Sequence, residues 1–412
     1  MNPVHDIAVL EVRLYGQPIG TLTRLPGDRV LFAFTESYVA NQNRPTLSLS
    51  FKDALGGLIT DIRPTQTRLP VFFANLLPEG AMRDYLALRG GLKPEREFFL
   101  IALLGQDLPG ALEIRAADSA PPFEEYVDTT VAAAGRETET ALHFSLAGVQ
   151  LKFSAIKDAA GRLTIPIDGV GGSWIAKLPS SRFPNLPENE FAMMEFARRV
   201  GISVPDTMLV PMSQISGLPT GIGAVGQYAY VIKRFDRAAN GERVHIEDFA
   251  QVFGVYPERK YERASYRNIA EVIWTETGEA GIVEFLRRFV FNGLIGNADM
   301  HLKNWSLMYP DRRGAVIAPA YDFVSTIAYL PDDHLALTFV DSKNFSSLSI
   351  EQFERFAAKA RLPSKLALDT VSETVMRFAE VWRNPPAGII DDRIRAAIER
   401  HIRSVPIWNP KP

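Results

Sequence analysis

Between Gly281 and Asp322 the chain reads as a helix, a polar loop, a hairpin and an aspartate, and that order fixes much of how the segment can fold. Ile282, Phe285, Phe289 and Val290 recur at helical spacing over residues 281–295 and predict one apolar face. Gly296 permits the turn that ends the helix. Asn297-Ala298-Asp299-Met300-His301-Leu302-Lys303-Asn304 follows. Residues 305–308 and 315–318 read as short strands, joined by the turn formers of 309–314. Tyr321-Asp322-Phe323 comes next. A rigid helix and hairpin hold the polar side chains between them at fixed distances. An Asx-rich turn with one solvated aspartate would account for a polar loop, but not for the whole order.

Four residues separate Asp299 from Asn304, and Asp322 lies beyond the hairpin. Phosphoryl transfer from ATP uses such a set: an Asp that orients the acceptor hydroxyl, then an Asn and a later Asp that hold Mg²⁺ on the phosphates. Asp299 is therefore the expected catalytic residue, and Asn304 and Asp322 the expected metal ligands.

Composition limits the alternatives. A chain of 412 residues predicts two or three domains with a large core. The absence of cysteine excludes a disulfide framework, a thiolate zinc site and a cysteine nucleophile. A net charge of −3 argues against charge-driven binding of nucleic acid by the chain itself. No apolar run is long enough to span a bilayer, and Met1 to Arg13 lacks a secretory pattern. A cytoplasmic protein with no membrane partner is expected.

The predicted fold class is α+β: an N-terminal β-rich module, a second module that begins and ends in strands, and a mostly helical remainder. Residues 7–14 and 29–34 alternate as strands, 71–89 turn helical with a break at Pro78-Glu79-Gly80, and 111–114 read as a closing strand. These place the first module at 1–116. An Ala-, Pro- and acid-rich linker is expected at 117–140, a small ATP-binding lobe at 141–237 and a helical lobe at 238–412. Ser349-Ile350-Glu351-Gln352 reads as a capping box for a helix through Leu362.

Within the small lobe, Phe144 to Lys152 is a small-residue turn between two expected strands. Its backbone N–H groups at Ala147, Gly148, Val149 and Gln150 suit a phosphate cradle, with Lys152 beside them; a plain hairpin turn fits the same residues. Residues 173–178 read as a strand carrying Lys177 among apolar neighbours. A buried ammonium needs an anion, supplied in a kinase by ATP phosphate and a helix glutamate. The helix predicted over 188–200 offers Glu190 first and Glu195 second, and Gly201 and Pro205 close it. Residues 228–236 read as a strand leading to the second lobe. Backbone amides from Lys233 to Phe235 are candidates to pair with adenine, and Phe235 to pack beside it.

Taken together, these residues resemble the HipA family of bacterial serine/threonine kinases, the toxin half of toxin–antitoxin pairs. The resemblance covers nearly the whole chain and implies an α+β fold in which an N-terminal β-rich module is followed by a bilobal, protein-kinase-like core with a mostly helical C-terminal lobe. It is carried by residues 72–80, 103–112, 145–152, 297–304 and Tyr321-Asp322. It implies that Asp299 orients the acceptor hydroxyl, that Lys177 binds ATP phosphates and that Asn304 and Asp322 hold Mg²⁺. His301 would contact a phosphate or buttress the loop, and Lys303 would stabilise charge on the transferred group. Ser145 matches a family serine whose autophosphorylation expels its loop and silences the kinase. Leu151 departs from the polar residue common after the family's Gln. The implied partners are a helix-turn-helix, HipB-like antitoxin, DNA reached through it, and a protein substrate such as an aminoacyl-tRNA synthetase.

Two other readings use the same residues. One is a non-catalytic, kinase-like corepressor acting with the antitoxin. The other is a metal-dependent hydrolase built on Asp299, His301 and Asp322, for which the six histidines of the chain offer no second ligand in the motif.

Overall fold

The structure, a computed structural model, describes residues 7–117, 150–158, 162–166, 171–218, 226–238, 240–386 and 388–408. Alternation of residue character builds the first sheet. Strand β1 (Val9–Leu14) buries Leu10, Val12 and Leu14 and leaves the residues between them half-buried. It pairs antiparallel with β2 (Gln17–Leu25) and later with β5 (Leu112–Ala116). With β3 (Arg29–Phe34) and β4 (Thr65–Gln66), the sheet order is β4-β3-β2-β1-β5. The alternation stops at Phe34, because the Thr35 hydroxyl accepts from the Tyr38 N–H and starts α1 (Glu36–Ala40). Helices α2 (Val71–Ala74), α3 (Gly80–Arg89) and α4 (Glu97–Leu104) follow. Phe72, Phe73, Phe98 and Phe99 bury their rings in a core shared with the sheet.

A second sheet contains β6 (Lys152–Lys157), β7 (Leu163–Thr164), β8 (Trp174–Lys177), β9 (Thr207–Pro211), β10 (Ile215–Ser216) and β11 (Tyr228–Lys233). Its order is β10-β7-β6-β8-β11-β9. Helix α5 (Leu186–Val200) connects β8 to β9 and ends where Gly201 takes φ 96°, a conformation that costs a glycine little. The core of this sheet holds Phe153, Trp174, Val210 and Val231, and Tyr85 of α3 is buried in the same cluster. Strand β11 ends at Lys233 rather than continuing to Asp236, because Arg234 and Asp236 turn into a buried ionic network.

The rest is mostly helical. Strands β12 (His245–Asp248), β13 (Ser306–Tyr309) and β14 (Val316–Ile317) form a small sheet beside α6 (Phe249–Val252), α7 (Tyr266–Ile295), α8 (Ile350–Lys359), α9 (Ser364–Arg383) and α10 (Asp392–Ile402). The helix expected over 281–295 is the second half of α7. The first half has its own capping box, Ser265 with Asn268, and the halves meet at Gly278, whose φ of 64° and ψ of −152° are not helical. The Ser349 hydroxyl accepts from the Gln352 N–H, one half of the expected capping box, and α8 stops at Lys359, short of Leu362, where Arg361 turns left-handed with φ 55°.

Gly296 closes α7 at φ 64°, and a Cβ there would lie 2.2 Å from Ile327 Cγ1. Gly296→Ala combines an unfavourable backbone with a clash at a buried residue. It is expected to destabilise the protein by about 2–4 kcal/mol, read as a lower midpoint in urea unfolding.

Candidate active site

The end of α7 and the loop after it form a lattice of side-chain-to-backbone bonds. Asn297 Oδ1 accepts from the Asp299 N–H at 3.0 Å. Its Nδ2 donates to Asn292 Oδ1 at 2.8 Å and to the Asp322 carbonyl at 3.3 Å. Asn304 Nδ2 donates to the Asp299 carbonyl at 2.7 Å. The Asp299 side chain is left 53 % exposed, and it faces the cleft between the lobes. Its Oδ1 accepts from the Tyr261 hydroxyl at 2.5 Å. His301 points inward. Its ring meets Tyr261 edge to face at a centroid distance of 4.9 Å. Burial, helped by the Lys260 ammonium, brings its pKa down to about 3, so the ring is neutral. Its Nε2 lies 3.9 Å from Asp299 Oδ1, beyond hydrogen-bond distance.

Opposite this loop, β8 delivers Lys177 and α5 delivers Glu190. Lys177 Nζ donates to Glu190 Oε1 at 2.5 Å and also bonds Asp322 Oδ1. The one ammonium is divided between two carboxylates. Burial pushes Asp322 up, but Lys177 and Lys152 outweigh it and bring the carboxyl down to about 2. At Glu190, which is 1 % exposed, burial prevails over the Lys177 ammonium and pushes the carboxyl up to about 7. Lys177 itself is raised: burial disfavours its charge, and the two carboxylates restore it. Asp322 holds φ 58°, an uncommon conformation for a non-glycine residue, and such strain concentrates at functional sites. Glu195, the second candidate for Lys177, is turned elsewhere. It accepts from Thr207 Oγ1 at 2.9 Å and from Arg198 at 3.3 Å.

Lys152 sits directly across from Lys177 in the β6–β8 register, so both lysines share the face toward the cleft. Gln150, Lys233 and Phe235 also line it. The expected adenine-pairing amides need correction. The Lys233 N–H already donates to the Asp206 carbonyl at 2.9 Å, and the Arg234 N–H to Ser173 at 2.8 Å. Among the described residues, the Phe235 N–H has no such partner. The Phe235 ring packs against Tyr321 at 5.8 Å. Ser145, Ala147, Gly148 and Val149 lie outside the described residues.

Several residues of the site were not singled out from the sequence. Tyr261 is one. Glu79, from the N-terminal module, is another: it binds both Lys303 and Lys260 at 2.8 Å. Burial would raise the Glu79 carboxyl, but the two ammoniums bring it down to about 2. Lys303 also donates to the Asn75 carbonyl at 3.1 Å. The third feature is a buried quartet behind the hinge. Arg234 grips Asp236 through two bonds of 2.9 Å and reaches Asp107 at 3.0 Å. Arg237 reaches Asp236 at 2.9 Å and Asp107 at 2.8 Å. Asp107 belongs to the segment 103–112 that carries the family resemblance, and Glu79 to the segment 72–80. Those runs were the available signal, but spacing alone gave their acidic residues no partner.

Among the described residues, no three His, Cys, Asp or Glu side chains are grouped to hold a metal ion. Asn304 commits its amide nitrogen to Asp299, which leaves Oδ1 as its free end, and Asp322 is a carboxylate. Both ends are oxygen donors, the kind a hard cation such as Mg²⁺ takes when phosphate oxygens complete its shell. Among the described residues, no helix is long and apolar enough to cross a membrane.

A sheet-rich lobe and a helical lobe, with a Lys–Glu–Asp contact across the cleft from an aspartate-bearing loop, define a kinase-like protein with an extra N-terminal module. The model of the HipA-like C-terminal domain matches residues 144–382, and that of the HipA N-terminal domain matches residues 10–115. The chain belongs to the HipA family. It is 50 % identical to "Putative kinase Y4dM" of Sinorhizobium fredii over 98 % of both chains. It is 26 % identical to the serine/threonine-protein kinase toxin HipA of Shewanella oneidensis over 77 % of each. The fold matches a HipA structure, solved in a complex of Shewanella oneidensis HipA, HipB and operator DNA, with a TM-score of 0.71. That match has 24 % identity and covers 97 % of this chain and 96 % of the other. The expected fold class is thereby borne out.

Proposed function

We propose that this protein is an ATP- and Mg²⁺-dependent protein serine/threonine kinase. It serves as the toxin of a toxin–antitoxin pair, slows growth by phosphorylating a translation component and limits itself by autophosphorylation at Ser145. The observation that carries this reading is the Lys177 contact to both Glu190 and Asp322, facing a loop in which Asn304 bonds the Asp299 backbone. In this reading 1–116 is the N-terminal module, 117–140 a linker, 141–237 the nucleotide lobe and 238–412 the helical lobe.

Each residue then has a task. Lys177 and Lys152 present cations to phosphate oxygens, and Glu190 keeps Lys177 in place. The Phe235 N–H pairs with the adenine edge while the Phe235 ring packs beside it. Residues 145–150 supply contacts to the phosphates, as the family resemblance implies. Asp299 orients the acceptor hydroxyl and takes its proton, and Lys303 offsets charge on the transferred group. Asn304 and Asp322 hold Mg²⁺, which when bound neutralises phosphate charge. The neutral, buried His301 buttresses Tyr261. A helix-turn-helix antitoxin like the HipB of the Shewanella complex is the inferred partner, with DNA reached through it. An aminoacyl-tRNA synthetase is a candidate substrate, and the cytoplasm the expected location.

Incubating the purified chain with γ-labelled ATP and Mg²⁺, with and without EDTA, tests the reading. Label is expected on Ser145, absent with EDTA and absent from Ser145→Ala. Normal ATP binding without label, in protein whose starting mass shows no phosphate, would favour the non-catalytic corepressor instead.

A further inference from the structure

We propose that Glu79 of the N-terminal module is a positioning residue for phosphoryl transfer. Its carboxylate sets Lys303 directly and the Asp299 carboxylate through Lys260 and Tyr261, so the module forms part of the catalytic apparatus. This deepens the kinase reading above and rests on it.

The geometry is a fork. Glu79 Oε1 lies 2.8 Å from Lys303 Nζ, and Glu79 Oε2 lies 2.8 Å from Lys260 Nζ. Lys303 stands next to Asn304 in the catalytic loop, and its second partner, the Asn75 carbonyl, also comes from the module. Asn75 is anchored in turn, its Nδ2 donating to the Val255 carbonyl of the helical lobe at 2.9 Å. On the other tine, Lys260 precedes Tyr261, whose hydroxyl binds Asp299 Oδ1 and whose carbonyl accepts from Lys343 Nζ at 3.2 Å. One carboxylate thus sets the two flanks of the Asp299 loop.

Local structure departs from its own preferences to allow this. Glu79 is the N-cap of α3, yet its side chain makes no capping bond, where Ser, Thr, Asp or Asn would satisfy the helix. Gly80 takes φ 53° to start the helix there. A poor cap beside the proposed catalytic loop is the kind of local conflict that accompanies function. Without the carboxylate, two ammoniums converge with no anion between them. Like-charge repulsion then drives Lys260 and Lys303 apart, and the turn that carries Tyr261 moves with Lys260.

Simple docking of the module would not require Glu79. Tyr85 is buried in the small-lobe core, and Asp107 is bonded to the hinge arginines, independently of it. Glu79→Gln should therefore leave the module docked and the chain folded, with a lower melting temperature from the two ion pairs lost.

The test uses the full chain with a starting mass free of phosphate. The single-turnover rate of transfer from Mg²⁺–ATP to the chain itself is followed by intact mass for wild type, Glu79→Gln, Lys303→Met and the double variant. Binding of a non-hydrolysable ATP analogue and the melting temperature are measured alongside. Glu79→Gln is expected to slow transfer about tenfold with analogue affinity unchanged and the protein still fully folded at the assay temperature. The double variant is expected to lose less than the product of the single losses, because the two residues act together. Transfer by Glu79→Gln at the wild-type rate, a loss no larger than its unfolded fraction at the assay temperature explains, or fully multiplicative losses would each overturn the proposal alone. A wild-type protein that binds the analogue but transfers nothing would overturn the kinase reading, and this proposal with it.

Discussion

An Asp299→Asn protein is expected to lose phosphoryl transfer by about 10²–10⁴-fold while keeping its fold and its affinity for nucleotide. The amide is the same size and still offers an oxygen to the Tyr261 hydroxyl, so the contact at 2.5 Å survives the change. What disappears is the group proposed to take the acceptor's proton. Asp299 makes no bond to Lys177 or Asp322 in the structure; those two pair with each other and with Glu190. Nucleotide affinity should therefore stay constant as the rate falls. Rate, analogue binding and melting temperature, measured on one preparation, separate this outcome from misfolding. Near-wild-type transfer by pure Asp299→Asn would remove Asp299 from its proposed role.

The largest effect on stability is expected at Asp236. Its carboxylate takes two bonds from Arg234, one from Arg237 and one from the Gly110 N–H, and it is 4 % exposed. Asp236→Ala leaves two buried guanidiniums sharing Asp107 and strips the Gly110 amide of its partner. Breaking a buried pair from one side costs about 3–5 kcal/mol, because the remaining charge is stranded away from water. Urea unfolding should show this loss with little dependence on salt, since burial limits screening. A loss below about 1 kcal/mol would mean that water enters the network and solvates the arginines.

The sequence disclosed the parts of the site that are close in the chain. Asp299 and Asn304 share one loop, and the apolar face of α7 together with the hairpin after it announced where that loop begins and ends. Lys177 and Glu190 are separated by a single strand-to-helix connection, and their pairing followed from the cost of burying a lone ammonium. The hidden parts join distant segments. Glu79 meets Lys303, and Asp107 meets Arg234, only after the N-terminal module has packed on the core. No periodicity encodes such a meeting, because each charge looks solvated within its own segment. The left-handed backbone at Asp322 was equally invisible, since aspartate tolerates that conformation without requiring it. The first half of α7 was missed for another reason: Gly278 interrupts the pattern, so the two halves do not share one continuous face.

The shared core of the second sheet has a consequence for how the protein breathes. Among the described residues, its apolar cluster includes Tyr85 of the N-terminal module, and Met82 and Leu86 of the same helix pack against it. A sheet that borrows part of its interior from another segment draws part of its stability from that segment. Local opening of β6 and β8, the strands that carry Lys152 and Lys177, is then governed by how firmly α3 stays seated rather than by the strands themselves. The proposed grip on phosphate and the seating of a helix far away in sequence are then coupled, so whatever loosens α3 also softens the floor on which a nucleotide would rest.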